Sequence, residues 1–143
     1  MRTRTGVVLP LGLVFAGLVA QQLIFGQACQ DEQAMVADYQ KSITDLIDSV
    51  KKETLAEFQS QYHRKTCLTK LTLCEGVLDG TLACLEKAAQ DRAATKEQAT
   101  ASKSKHDAYS RLKAKVEGYR NSLKGAEADK DAKALIEKFD LSS

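Results

Sequence analysis

The stretch CLTKLTLCEGVLDGTLAC, residues 67–84, holds three of the four cysteines and decides how the chain is read. Leu68, Leu71, Cys74, Val77 and Leu78 recur at helical spacing, which predicts a helix over 67–78 with one apolar face. Asp79-Gly80 follows, a dipeptide with turn composition and a glycine for the positive φ at which helices often end. Thr81 then suits the cap of a second helix starting near Leu82. The stretch therefore reads as two helices joined at Asp79-Gly80. The expected fold class is all-α, an elongated helical hairpin or small helical bundle stapled by two disulfides.

Working outward, residues 82–124 predict one long polar helix. Between Ala88 and Lys105 its apolar residues are alanines, which can be helical but bury little. A seam then appears at Tyr109, Leu112, Val116, Tyr119, Leu123 and Ala126, spaced 3-4-3-4-3 over about two and a half heptads. A seam this short is expected to pack on the first helix within one molecule, the alternative being a coiled-coil homodimer through Tyr109–Leu123. Gly125 is expected to end the helix, and Leu135, Ile136, Phe139 and Leu141 form a terminal amphipathic segment that either docks or frays. Upstream, a helix is expected from Asp31 or Glu32, with Val36, Tyr39, Ile43, Leu46 and Val50 as its stripe. The phase slips after Val50 and resumes at Leu55, Phe58 and Tyr62, so residues 52–54 hold either a stutter or a bend.

Residues 1–28 differ in kind. Arg2 and Arg4 precede an uncharged run from Thr5, with an apolar core from Val7 to Phe25 and small residues at Gly26 and Ala28. This is the layout of a secretory signal peptide cleaved after Ala28, leaving 29–143 as a single disulfide-bonded helical domain. The run is also long enough for an uncleaved signal anchor with a helical ectodomain, although Pro10, Gln21 and Gln22 interrupt it. A lipoprotein leader fits poorly at Gly26 and Gln27. Without Arg2 and Arg4 the 21 basic residues fall to 19, equal to the 19 acidic ones, so no basic excess remains to hold nucleic acid. Proline occurs only in the leader and tryptophan not at all, consistent with helices and a modest core that disulfides would reinforce.

Cys29, Cys67, Cys74 and Cys84 allow three pairings. On one helix Cys67 and Cys74 are about 10.5 Å apart along the axis. That exceeds the roughly 7 Å between Cα atoms that a disulfide spans. Cys74 and Cys84 flank the expected turn, which favours Cys74–Cys84 with Cys29–Cys67. A straight helix over 31–65 would hold Cys29 about 50 Å from Cys67. The favoured pairing therefore needs the bend; otherwise Cys29–Cys74 with Cys67–Cys84, or a bond from Cys29 to another chain, takes its place. The spacing C-x6-C-x9-C matches no common zinc-ligand pattern, so no metal is expected.

Catalytic signatures are lacking. His63 and His106 are far apart in polar surroundings, and the sequence has no G-x-S-x-G, H-E-x-x-H, phosphate loop, EF-hand or C-x-x-C pattern. The expectation is a non-enzyme without a cofactor; a histidine-based enzyme would need His63 or His106 brought beside a carboxylate.

The run Tyr62-His-Arg-Lys-Thr-Cys67-Leu-Thr-Lys-Leu-Thr-Leu-Cys74, then nine residues, Cys84 and Leu-Glu-Lys-Ala88-Ala89, resembles the cysteine-bearing core of small secreted insect proteins with a TsetseEP-type domain. The resemblance covers about thirty residues and implies secretion from tissues such as gut or salivary gland, with no settled activity and more cysteines than this chain has. Together these readings predict a secreted, extracellular, non-enzymatic protein that binds a protein partner. The alternatives are a carrier of small hydrophobic ligands, enclosed by the first helices and Leu135–Phe139, or a signal-anchored membrane protein.

Overall fold

The computed structural model describes residues 29–142, which form five helices in chain order: α1 (Gln30–Lys52), α2 (Leu55–Ser60), α3 (His63–Gln90), α4 (Lys96–Gly125) and α5 (Asp129–Lys138). No strand occurs among the described residues, so the all-α class holds. The leader and its cleavage site lie outside them. No described helix is long and apolar enough to cross a membrane.

α1 forms where its stripe demands. Asp31 and Glu32 open it and Lys51 and Lys52 close it, each sign matched to the helix dipole. Its buried residues are Val36, Ile43, Leu46, Ile47 and Val50. The slip after Val50 is a bend. Glu53 is extended, and Thr54 caps α2 reciprocally: its hydroxyl accepts from the Glu57 amide at 3.3 Å, and its own amide donates to Glu57 Oε2 at 2.7 Å. Phe58, 1% exposed, anchors this six-residue helix and contributes about 2–3 kcal/mol by burial.

α3 departs from the expected hairpin. It runs unbroken through Asp79-Gly80, and Gly80 has no positive φ. Thr81 is not a cap; it is fully buried, and its hydroxyl donates to the Val77 carbonyl at 2.8 Å. The reason lies in the face: Cys67, Leu71, Cys74, Leu78, Thr81 and Leu85 are all buried at helical spacing, and a turn at 79–80 would split that face in two. The reversal comes later. Asp91 Oδ1 accepts from the Ala93 amide at 2.9 Å, and Thr95 caps α4 through a second reciprocal box with Gln98. The predicted helix 82–124 is thus divided at residues 91–95.

α3 packs along α1 and α4 and also meets α2 and α5. Cys29 joined to Cys84, and Ser42 bonded to Lys70, show that α1 runs antiparallel to it. Asp79–Lys113 at 2.5 Å and Glu75–Arg120 at 3.0 Å show the same for α4 on the other flank. The α4 seam is consumed inside the molecule, with Leu112, Val116 and Leu123 buried. It packs on α3 and α5, whereas α1, its expected partner, lies across α3. The terminal segment docks: Ile136, Phe139 and Leu141 join the core, Phe139 stacks on Tyr119 at 4.2 Å, and Gln40 Nε2 donates to the Leu141 carbonyl at 2.8 Å.

The continuity of α3 has a simple test. A methyl group at Gly80 would meet nothing within 4 Å. Gly80→Ala should therefore raise unfolding stability by about 0.5–1 kcal/mol in a urea titration, because alanine is the better residue inside a helix. A positive-φ turn at this position would give a loss.

Candidate functional site

The cysteines do not pair as the sequence reading favoured. Cys29 is bonded to Cys84, Cα to Cα 5.8 Å, across 55 residues, in place of Cys29–Cys67 with Cys74–Cys84 or Cys29–Cys74 with Cys67–Cys84. With α3 continuous, Cys74 and Cys84 are ten residues apart on one helix, about 15 Å along the axis and out of reach. The antiparallel α1 brings Cys29, its N-cap, to the far end of α3, where Cys84 stands. Closing a loop of this length stabilises the fold by about 4 kcal/mol on the chain-entropy account. Cys29 is therefore bonded within its own chain, and the structure has one disulfide where two were expected.

Cys67 and Cys74 are free thiols, both 0% exposed. Burial pushes the Cys67 thiol up to about 12, with Lys70 opposing weakly, and the Cys74 thiol up to about 11. At neutral pH almost none of either is thiolate, the form that attacks disulfides and binds metals. Both act as small apolar side chains in the core. An alkylating reagent at pH 8 should leave the native chain unmodified. Denaturant without reductant should admit two labels and denaturant with reductant four, counted by intact mass.

His63 and His106 stay apart in role. His106, one-third exposed on α4, lies 3.9 Å from the neighbouring Asp107. His63, the first residue of α3, sets Nδ1 2.9 Å from Glu53 Oε2; the two side chains are 15% and 19% exposed, and neither atom has another partner. The bend at 53–54 creates this pair by turning the end of α1 back onto the start of α3. Phe58 meets the imidazole edge-on at 6.2 Å. A histidine beside a carboxylate can orient an imidazole for proton transfer. The adjoining cleft, about 200 Å³, is lined by Phe58, Gln59, Tyr62, Arg64, Lys65 and Asp129 besides His63, and none of these is a serine, threonine or cysteine. The pair fastens the α1–α2–α3 corner.

Tyr62 stands at the rim of that cleft. The sequence reading placed it on the same apolar stripe as Leu55 and Phe58, but only Phe58 is buried. Tyr62 is 75% exposed and lies in the left-handed region at φ 55°, ψ 26°, the only non-glycine residue with positive φ among those described. Its side chain makes no cap for α3, whose first residues are His63, Arg64 and Lys65 with no acid among them. Arg64 Nη1 donates to the Glu127 carbonyl at 3.3 Å, tying the corner to the chain entering α5. The available signal was the run of polar and basic residues directly after Tyr62, which breaks the apolar spacing.

No family model matches this chain, and neither the curated proteins nor the solved structures searched contain a match.

Left-handed backbone costs an ordinary residue about 1 kcal/mol or more. Tyr62→Gly should accordingly stabilise the fold by about 0.5–1 kcal/mol in thermal or urea unfolding. A loss of stability would mean that the ring contributes packing there.

Proposed function

We propose that this chain is a secreted, non-enzymatic protein that binds an extracellular protein partner through the Tyr62 corner. The observation that carries the reading is Tyr62 itself: a large aromatic ring held 75% exposed in a strained backbone conformation, beside Arg64 and Lys65. Strain of this kind concentrates at functional positions. Tyrosine and arginine are also the residue types that dominate protein interface energetics. The partner that fits presents an apolar recess for the ring and carboxylates for the two cations.

Secretion is supported by the leader-like residues 1–28 and by the Cys29–Cys84 bond, which suits an oxidising compartment. The resemblance of residues 62–89 to the TsetseEP-type segment agrees with it. Intact mass of the exported chain gives the check. A chain starting at Cys29 supports the reading, and one that keeps residues 1–28 turns it into a membrane-anchored protein.

Wild type and Tyr62→Gly, immobilised as matched baits, test the binding role. Because the variant relieves strain, its fold should be intact. Partners held by the wild type should be lost from the variant at least about tenfold, the effect of one interface anchor. Equal retention by both baits removes the corner from the binding surface. A co-purifying small apolar ligand in native mass spectra would favour the carrier reading instead.

A further inference from the structure

α1, α3 and α4 lie side by side with α3 in the middle, and one face of this layer is open. The contacts fix the sides of α3. Lys70 and Cys84 point to α1, Glu75 and Asp79 to α4, and the Cys67–Leu85 face to the core. What remains is a stripe of Thr69, Leu73, Gly76, Gly80 and Ala83, all exposed and spaced 4-3-4-3. Leu73 is 49% exposed. On the adjoining flank of α1, Met35 is 48% exposed and belongs to the stripe that continues through Asp38 to Ser42, the residue bonded to Lys70. Large apolar side chains thus stand in solvent on both neighbouring helices of one face.

The two edges of this face differ in charge. The α1 edge carries Asp31, Asp38 and Asp45, seven residues apart in one row. The α4 edge carries Lys103, His106, Lys113, Arg120 and Lys124, with Glu117 the one acid in the row. Lys113 and Arg120 already hold Asp79 and Glu75, and Asp45 holds Lys41. Asp31, Asp38, Lys103 and Lys124 make no ion pair among the described residues and leave the layer acidic on one side and basic on the other.

We propose that this open face is the contact between two copies of the chain, related by a twofold axis parallel to α3. Such an axis lays α3 parallel to its counterpart and places α1 of each copy over α4 of the other, so that acidic edges meet basic ones. Heights are preserved, and the pairings of α1 and α4 with α3 then set Asp45 opposite Lys124 of the second copy. A twofold across α3 would instead set acid against acid and base against base, so the charges select the first arrangement. Leu73 and Met35 supply the apolar area. Gly76 and Gly80 supply the approach: a methyl group at either would meet nothing within this chain, and neither has positive φ, so packing inside one copy does not call for glycine. Glycines four apart on one helix face let a second helix come close.

Sedimentation velocity on the exported chain over a range of concentrations tests this. The wild type should form a dimer that weakens with added salt. Gly76→Leu should weaken it at least about tenfold by filling the space needed for close approach. It also adds apolar surface, so association by unspecific stickiness would strengthen instead. Asp45→Lys should weaken the dimer, and adding Lys124→Asp should restore it. Circular dichroism of dilute samples will show all variants as helical as the wild type, since every change sits at an exposed position. A wild type that stays monomeric, a Gly76→Leu chain that associates as well or better, or a double variant no tighter than Asp45→Lys alone would overturn the proposal.

Discussion

Everything in this fold leans on one unbroken helix. α1 and α4 pack on opposite flanks of α3, and α2 and α5 meet it as well. The disulfide and both interhelical ion pairs that place α4 end on it too. The constraint is energetic. A glycine inside a helix costs about 1 kcal/mol against alanine. Burying a side chain such as Leu78 or Leu85, here 0% and 2% exposed, gains roughly 2 kcal/mol each. Keeping those two on the same face as Cys67, Leu71 and Cys74 outweighs the cost of Gly80 inside the helix about fourfold. Tertiary burial wins, and the connection to α4 moves to residues 91–95.

That single displacement accounts for most of what the sequence reading missed. Once α3 continues, Cys74 and Cys84 lie on one rod and cannot bond, and an antiparallel α1 leaves Cys84 as the partner of Cys29. A Cys74–Cys84 bond needs the turn that α3 does not make, and Cys67 and Cys74, seven residues apart on the helix, stay unbonded as their spacing requires. The turn at 91–95 was harder to see because hydrophobic periodicity is silent there. Alanines and polar residues fill 88–105, and what marks the boundary is Asp91 and the pair Thr95 and Gln98. Thr54 and Glu57 form the same signature at the first bend, where an interrupted apolar stripe also drew attention to it. The apolar stripes do mark buried faces: Val36, Ile43, Leu46 and Val50 on α1, and Leu112, Val116 and Leu123 on α4, are all buried. A stripe says that a face is covered, but not by what. The α4 seam was therefore assigned to α1 when it rests on α3 and α5.

The corner shows the same limit from the other side. Leu55, Phe58 and Tyr62 have helical spacing, yet α2 ends at Ser60 and the next two residues re-aim the chain. Phe58 turns inward and Tyr62 outward. Tyr62 holds a left-handed conformation because its surroundings over-determine it. Phe58 is fixed in the core on one side, and the Glu53–His63 pair and the Arg64–Glu127 bond fix the start of α3 on the other. No propensity of tyrosine predicts this; it follows from where two helices must go.

Two residue choices in the fold cost stability that another residue at the same position would not. One is the left-handed tyrosine, where glycine would be easier. The other is the glycines inside helices, Gly76 and Gly80 on α3 and Gly118 on α4, where alanine would be easier and would clash with nothing. Elsewhere local choices agree with the global structure: dipole-matched charges on α1, reciprocal caps on α2 and α4, and a core face without a break. In a chain otherwise so consistent, such departures direct attention to contacts outside it. The tyrosine stands at one end of α3, and Gly76 and Gly80 face solvent along its middle. One helix thereby organises the core and carries, at its start and along its middle, the left-handed tyrosine and the two glycines that share one exposed face.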